Sequence, residues 1–307
     1  MTSPGEATAV VLNWRTPEHT VRAGRALLAD GVPAERLVVV DNGSGDGSVE
    51  LIGRELAGCR VLALPENVGF ARGNNLGARE LPGRVYLFVN SDAFVHAPGS
   101  VARLVDATAA GRAGLAVPRL LNEDLTLQPS VVPTSSPLPE LVRASGLSRL
   151  VPNRLQPALG THWDHGESRS IQAAIGAVVA VGADAWEALG GFDEREFMYA
   201  EDIDLFWRAR KLGFEVRFVA DSEFVHLGNA SGGRRWSDPA RAERVARAEA
   251  AMIHEHLPPV RAALTLAFIA LGVGARAVVR AGQRKGTAAA TLRAQFRGYA
   301  TGILGSR

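Results

Sequence analysis

Short apolar runs alternate with stretches whose apolar residues recur every three to four positions. Residues 9–12, 37–40, 61–64 and 85–89 are β-branched or continuously apolar, and residues 17–28, 49–56 and 71–80 between them carry helical spacing. This rhythm predicts βαβ units and a parallel sheet, an α/β class. The run Val85-Tyr86-Leu87-Phe88-Val89 is apolar throughout, which predicts a central strand covered on both faces. Periodicity lapses over residues 129–166, rich in Pro, Ser and Arg, and this segment is expected to be a long, partly mobile surface excursion. Patterning returns at residues 171–181. A helix is then predicted over 203–212 with Gly213 as its stop, and a short strand over 216–219.

Pro258-Pro259 breaks an Arg- and Ala-rich helix, and residues 262–275 follow without a charge. That stretch is shorter than the roughly 20 residues a helix needs to span a bilayer. Two readings stand for it: an interfacial helix anchored by the surrounding arginines, or a packed terminal helix hairpin with a solvated basic face. The expected organisation is a domain over 1–232, divided into halves at 1–120 and 121–232, and a basic helical region over 233–307.

With 47% hydrophobic and 21% charged residues among 307, the chain is globular and not disordered. Cys59 is the only cysteine, so no intramolecular disulfide is possible and a cytoplasmic setting is the default. Residues 1–6 lead into Val10-Val11-Leu12 without the basic start and long apolar stretch of a signal peptide, so no cleavage for export is expected. The net charge of +2 hides an asymmetry. After Glu255 there is no acidic residue, and Arg261, Arg276, Arg280, Arg284, Lys285, Arg293, Arg297 and Arg307 carry +8, leaving −6 for the rest. A basic tail of this kind favours an anionic surface, lipid or nucleic acid. Aromatic residues are not interleaved with the arginines as stacking on bases requires, so no nucleic-acid partner is expected.

In an open parallel sheet, ligands collect beyond the carboxyl ends of the strands. Asn13, Asp41-Asn42-Gly43-Ser44 and Asn90-Ser91-Asp92 each follow a strand run. Asp41 has the chemistry to accept hydrogen bonds from a base or ribose, or to cap a helix or close an Asx turn. Asp92 suits a magnesium or manganese ion bridging a diphosphate, since hard cations keep water and phosphate oxygens and need few protein carboxylates; a plain turn residue is the alternative. Residues 67–75 place glycines, amides and Arg72 at a helix start, a setting for an anionic or uracil-like ligand. Further on, Gly190-Gly191-Phe192-Asp193 leads through Phe197-Met198-Tyr199 to Glu201-Asp202-Ile203-Asp204. The helix dipole accounts for one acid there more readily than for three, and a carboxylate projecting into a cleft is suited to general-base work. His226 follows an apolar stretch, as a metal ligand or a satisfied core group. Trp14, Trp163, Trp207 and Trp236 are suited to stacking on sugars or to core packing.

Taken in order, Val40-Asp41-Asn42-Gly43-Ser44, Asn67-Val68-Gly69-Phe70, Asn90-Ser91-Asp92, Gly190-Gly191-Phe192-Asp193, Glu201-Asp202-Ile203-Asp204 and His226 resemble the family 2 glycosyltransferases of the GT-A fold, within them the rhamnosyltransferase-like branch. The resemblance spans residues 7–231. It implies a mixed, mainly parallel sheet flanked by helices, with a C-terminal helical tail. It implies donor binding by Asn13, Asp41, Asn42, Arg72, Asn90 and Ser91, a Mg2+ or Mn2+ ion on Asp92 and His226, and Asp202 as catalytic base with Glu201 as its substitute. The first acid of the family's Asp-x-Asp motif is replaced by Asn90, which leaves the metal fewer carboxylates.

The expected reaction is inverting transfer from a nucleoside-diphosphate sugar, dTDP-rhamnose first, to a glycan or polyprenyl-linked saccharide of the cell envelope. The expected location is the inner face of the membrane, held through the basic C-terminal region. The alternatives are a UDP-galactofuranose or another UDP- or GDP-sugar donor, or a catalytically inactive nucleotide-sugar-binding scaffold. A homo-oligomer is left open.

Overall fold

The structure is a computed structural model that describes residues 4–109, 113–132, 134–156, 163–195, 200–228, 238–283 and 286–303. Contacts divide the chain into two compact units, residues 1–131 with 165–231 and residues 132–164 with 232–307.

The first unit is built on a ten-stranded sheet. Its strands are β1 (Ala7–Asn13), β2 (Leu37–Asp41), β3 (Arg60–Ala63), β4 (Val85–Asn90), β5 (Ala93–Val95), β6 (Ala113–Leu121), β7 (Leu127–Gln128), β9 (Arg169–Ile171), β11 (Val178–Gly182) and β12 (Glu215–His226). Two-residue strands β8 (Val131–Val132) and β10 (Ala173–Ala174) lie outside it. The order is β3-β2-β1-β4-β11-β6-β12-β5, with β7 on β6 and β9 on β12. Strands β1, β2, β3, β4, β6 and β12 run the same way, and β11 and β5 are reversed, so the sheet is mixed and mostly parallel. Helices α1 (Pro17–Ala29), α2 (Ser48–Glu55), α3 (Phe70–Glu80), α4 (Ser100–Thr108), α6 (Ala183–Leu189) and α7 (Glu201–Lys211) flank it.

The expected βαβ series appears within a residue or two of each boundary because β1, β2 and β4 are buried on both faces. Val38, Val39 and Val40 of β2 are fully buried, each stabilising the fold by about 1.5–3 kcal/mol. Helix α3 lies close on β1 and β2. A Cβ at Gly73 would stand 2.6 Å from Leu12, and one at Gly77 would stand 2.5 Å from Val10 and 2.8 Å from Val40. One strand and one helix exceed expectation. The segment expected as a strand over 216–219 is part of the 12-residue β12, which passes an irregularity between Val219 and Glu223 and runs on to His226. The helix expected to begin at residue 203 begins at Glu201.

The second unit comprises α5 (Pro137–Ala144), 3-10 turns at Leu147–Leu150 and Asn153–Leu155, α8 (Asp238–His256), α9 (Pro259–Gly282) and α10 (Gly286–Ile303). Within the expected excursion over 129–166, described residues 134–156 thus hold a helix and two 3-10 turns. Pro137 starts a helix where its missing N–H is no loss, and the segment packs through α5 against α9. Close helix approach in this unit uses small residues: a Cβ on Gly298 would stand 2.6 Å from that of Ala246, and one on Gly302 would stand 2.5 Å from that of Ala250. The helix around the 14 uncharged residues is itself 24 residues long, so by length and composition it suffices to cross a bilayer, contrary to the sequence expectation. The difference arises because its arginines stand near its ends, where a helix continues through them.

Candidate functional site

Asn13 and Asp41 end neighbouring parallel strands in register, so their side chains meet beyond the carboxyl edge of the sheet. Asn13 Nδ2 donates to Asp41 Oδ1 at 2.6 Å, and Ser44 donates to the same carboxylate through its hydroxyl (2.6 Å) and its backbone N–H (3.1 Å). Asp41 thus holds the turn after β2 through Ser44, three residues on. The network extends through Thr20, whose hydroxyl donates to Asn13 Oδ1 at 2.8 Å, and Thr16, whose hydroxyl lies 3.1 Å from that of Ser91 after β4. Asn13, Asp41 and Ser91, all buried, therefore belong to one polar cluster at the ends of β1, β2 and β4.

Asn42 has a different job. Its amide donates to Asn67 Oδ1 (3.2 Å) and the Gly69 carbonyl (3.1 Å) and accepts from the Val68 N–H (2.9 Å), which fixes the turn leading into α3. Glycine is required beside it: Gly43 has φ +68° and a Cβ there would stand 2.4 Å from the Glu66 backbone. Arg72 is exposed on α3, its Nε 4.0 Å from Glu194. Asn75, one turn on, is buried and clamps the glycine loop of the second half: its amide donates to the Phe192 carbonyl (2.9 Å) and accepts from the Phe192 N–H (2.9 Å). Arg208 of α7 holds the same loop from the other side, donating to the carbonyls of Leu189 (2.9 Å) and Gly191 (3.0 Å) while paired with Asp204 at 2.6 Å. Phe192 fills the space between, with ring centroids 5.0 Å from Phe88, 5.7 Å from Trp186 and 5.9 Å from Phe70.

Asp92 and His226 come together. Strand β12 pairs with β5 so that His226 stands opposite Ala93, and His226 Nε2 lies 3.5 Å from Asp92 Oδ1. Gln128 sets the imidazole: its amide nitrogen donates to Asn122 Oδ1 (3.1 Å) and the His226 carbonyl (3.1 Å), so its oxygen faces His226 Nδ1 at 2.8 Å. That arrangement places the proton on Nδ1 and turns the Nε2 lone pair toward the Asp92 carboxylate. Two acceptors at this separation suit a shared cation, since neighbouring ligands of an octahedral divalent ion lie about 3 Å apart.

Asp202 stands in the first turn of α7, directly after Glu201, which is buried, and after Ala200, a non-glycine residue in the left-handed region (φ 70°). Its Oδ2 accepts the Gly176 N–H and its Oδ1 the Ile203 N–H, both at 2.8 Å. Desolvation of the carboxyl outweighs these two bonds and raises its pKa above the ordinary aspartate value. The neighbouring Ala177 carbonyl accepts the Asn90 N–H at 2.9 Å. Asp202 is therefore tied through Gly176-Ala177 to the segment that carries Asp92, at the same edge of the sheet. Trp163 and Trp207 are buried, in accord with core packing. Trp236 and Phe197-Met198-Tyr199 lie outside the described residues. Sequence reasoning missed Gln128, Gly176 and Arg208. Only Gly176, a glycine inside an ordered run, carried a signal.

Residues 18–139 match the family model described as "Glycosyl transferase family 2". Over 228 residues the chain is 29% identical to an N-acetylglucosaminyl-diphospho-decaprenol L-rhamnosyltransferase of Mycobacterium tuberculosis, covering 66% of this chain and 69% of the relative. Over residues 18–139 the chain thus resembles glycosyl transferase family 2. A second relative, the O-antigen biosynthesis protein RfbC of Myxococcus xanthus, is 28% identical over 160 residues, 52% of this chain and 12% of that protein. The fold is also that of solved glycosyltransferases. A mannosyltransferase from Pyrobaculum calidifontis, in complex with GDP-Man and Mn2+, superposes with a TM-score of 0.62 at 17% identity, over 99% of this chain and 89% of its own. S. aureus TarS superposes with a TM-score of 0.54 at 15% identity, over 87% of this chain and 43% of its own.

Proposed function

We propose that this chain is a family 2 glycosyltransferase that transfers rhamnose from dTDP-rhamnose, with inversion, to a lipid-linked or cell-envelope glycan at the inner face of the membrane. The observation that carries the proposal is the convergence at one sheet edge of Asp92 and His226, 3.5 Å apart, with Asp202, linked to Asn90 through Gly176-Ala177. The rhamnosyltransferase relative supports the choice of sugar and of a polyprenyl-diphosphate acceptor.

In this reading the Asn13–Asp41–Ser44 cluster and Arg72 receive the donor's nucleotide, with Asn90 and Ser91 beside its ribose. Asp202, its carboxyl poised by desolvation, takes the proton from the acceptor hydroxyl as that oxygen attacks the anomeric carbon from the face opposite the nucleotide. Its two backbone bonds aim the carboxylate, and the Gln128–His226 bond does the same for the imidazole. Asp92 and His226 would hold a Mg2+ or Mn2+ ion, which when bound offsets the negative charge that gathers on the departing nucleoside diphosphate. The mannosyltransferase neighbour was solved with Mn2+, which supports the same choice of ion.

The test is a turnover assay of the purified chain with dTDP-rhamnose, UDP-galactofuranose, UDP-glucose and GDP-mannose, with and without Mn2+, on a polyprenyl-diphospho-N-acetylglucosamine analogue. Metal-dependent transfer with dTDP-rhamnose preferred is expected. Preference for another donor refutes the sugar, and full turnover by Asp202→Asn refutes the base.

A further inference from the structure

Helix α9 is apolar on two opposite faces. One face, with Ala262, Leu266, Ala270, Val273 and Ala277, is buried. On the other side Val260, Leu264, Ala267, Leu271, Ala275 and Val278 recur every three or four residues, and all are exposed; Val260, Leu271 and Val278 are 72%, 63% and 74% accessible. The stripe runs for about 27 Å along the axis at 1.5 Å per residue. A helix apolar all round belongs in an apolar environment on both sides, and water is not one.

The charge of the region selects the occupant. Exposed Arg261 stands at the edge of the stripe near its start, exposed Arg276 and Arg280 lie further round the helix toward its C-terminal end, and no acidic residue follows Glu255 in the sequence. A second copy seated on this face would bring two acid-free, arginine-bearing segments together, which repel. An anionic lipid surface presents hydrocarbon to the stripe and phosphates to the arginines, each lipid-adjacent basic residue contributing about 1 kcal/mol. We infer that the outer face of α9 docks on an anionic membrane surface, lying in the interface with the opposite face still packed in its own unit. The inference rests on the membrane-surface part of the proposed function and is independent of the sugar donor.

The experiment is co-sedimentation of the full chain with vesicles of phosphatidylcholine alone or with about one-quarter phosphatidylglycerol. The wild type is expected to bind the anionic vesicles and to be released by about 0.5 M salt. Leu264→Asp/Leu271→Asp/Val278→Asp is expected to reduce binding at least about tenfold. Arg261→Gln/Arg276→Gln/Arg280→Gln is expected to lower the anionic preference at least about tenfold. Should the aspartate variant misfold by circular dichroism, a polarity-sensitive dye on Leu271→Cys in a Cys59→Ser background gives the answer. Its emission shifts to the blue with anionic vesicles if the stripe inserts. Unchanged binding by a folded aspartate variant, or a dye that ignores vesicles, overturns the inference. So does a concentration-dependent dimer in light scattering that the aspartate variant abolishes. Transfer to a soluble acceptor analogue, measured alongside, is expected to persist in the aspartate variant, so loss of docking is distinguished from loss of the enzymatic reading.

Discussion

Replacing Gly176 with alanine adds one methyl group at the point where the chain touches the proposed base. The new Cβ would stand 2.5 Å from Asp202 Cβ, 3.2 Å from its Oδ2 and 3.3 Å from its Cγ. Carbon atoms rest at about 3.5–4.0 Å, so one partner must retreat by about 1 Å. Because the nearest atom is a Cβ, the start of α7 has to move with it. The 2.8 Å bond from the Gly176 N–H to Asp202 Oδ2 is lost or stretched in the process. Overpacking of this kind costs about 1–3 kcal/mol, which lowers Tm by about 2–10 °C for a unit of this size. A misplacement of about 1 Å at a reacting group lowers turnover about 100-fold. Steady-state release of nucleoside diphosphate, run well below the variant's Tm, is expected to give kcat down about 100-fold with donor affinity by calorimetry changed less than about threefold. A folded Gly176→Ala enzyme with kcat within about threefold of wild type would refute the placement of Asp202 at the reacting centre. Parallel collapse of donor affinity would do so too, by putting the damage in the nucleotide site.

Asp202→Asn is expected to lower turnover by about 100- to 10,000-fold. Since the folded-state pKa of Asp202 is raised, its stabilising contribution is full below the unfolded value of about 3.9 and is lost as pH rises through the folded value. The Tm advantage of the asparagine variant should therefore grow over that window and then level off, read by thermal denaturation at paired pH values. Wild-type kcat/KM should fall as pH drops through the same raised pKa. Gln128→Leu removes the acceptor facing His226 Nδ1 and is expected to weaken Mn2+ binding about 10- to 100-fold by titration calorimetry; unchanged affinity would show that His226 needs no such support. Asn75→Ala strips both backbone groups of Phe192 of their partner and is expected to destabilise the first unit by about 1–3 kcal/mol in denaturant titration.

The N-terminal series was legible because β1, β2 and β4 are buried on both faces and the helices between them keep one apolar stripe. The acids at strand ends were legible for the same reason: a parallel sheet gathers its carboxyl ends at one edge. Partners drawn from distant segments were not. Gln128 reaches His226 across 98 residues and Asn75 reaches Phe192 across 117, and no local period encodes either. Residues 137–144 were overlooked as a helix because α5 is short and opens with two prolines, so its apolar positions do not complete enough turns to register as a period. The ends of α9 were missed because arginines read as boundaries although their long aliphatic stems let a helix run through them.

The antiparallel ladder between β5 and β12 puts His226 opposite Ala93, and the Leu227 N–H carries it on to the Asp92 carbonyl at 3.0 Å. The spacing of the histidine and the aspartate is thus inherited from strand registry and not from a loop. A slip of one residue would throw the imidazole to the far side of the sheet. Retargeting the enzyme to other donors by loop grafting should leave this pair untouched, whereas any insertion or deletion inside residues 215–226 should abolish it outright.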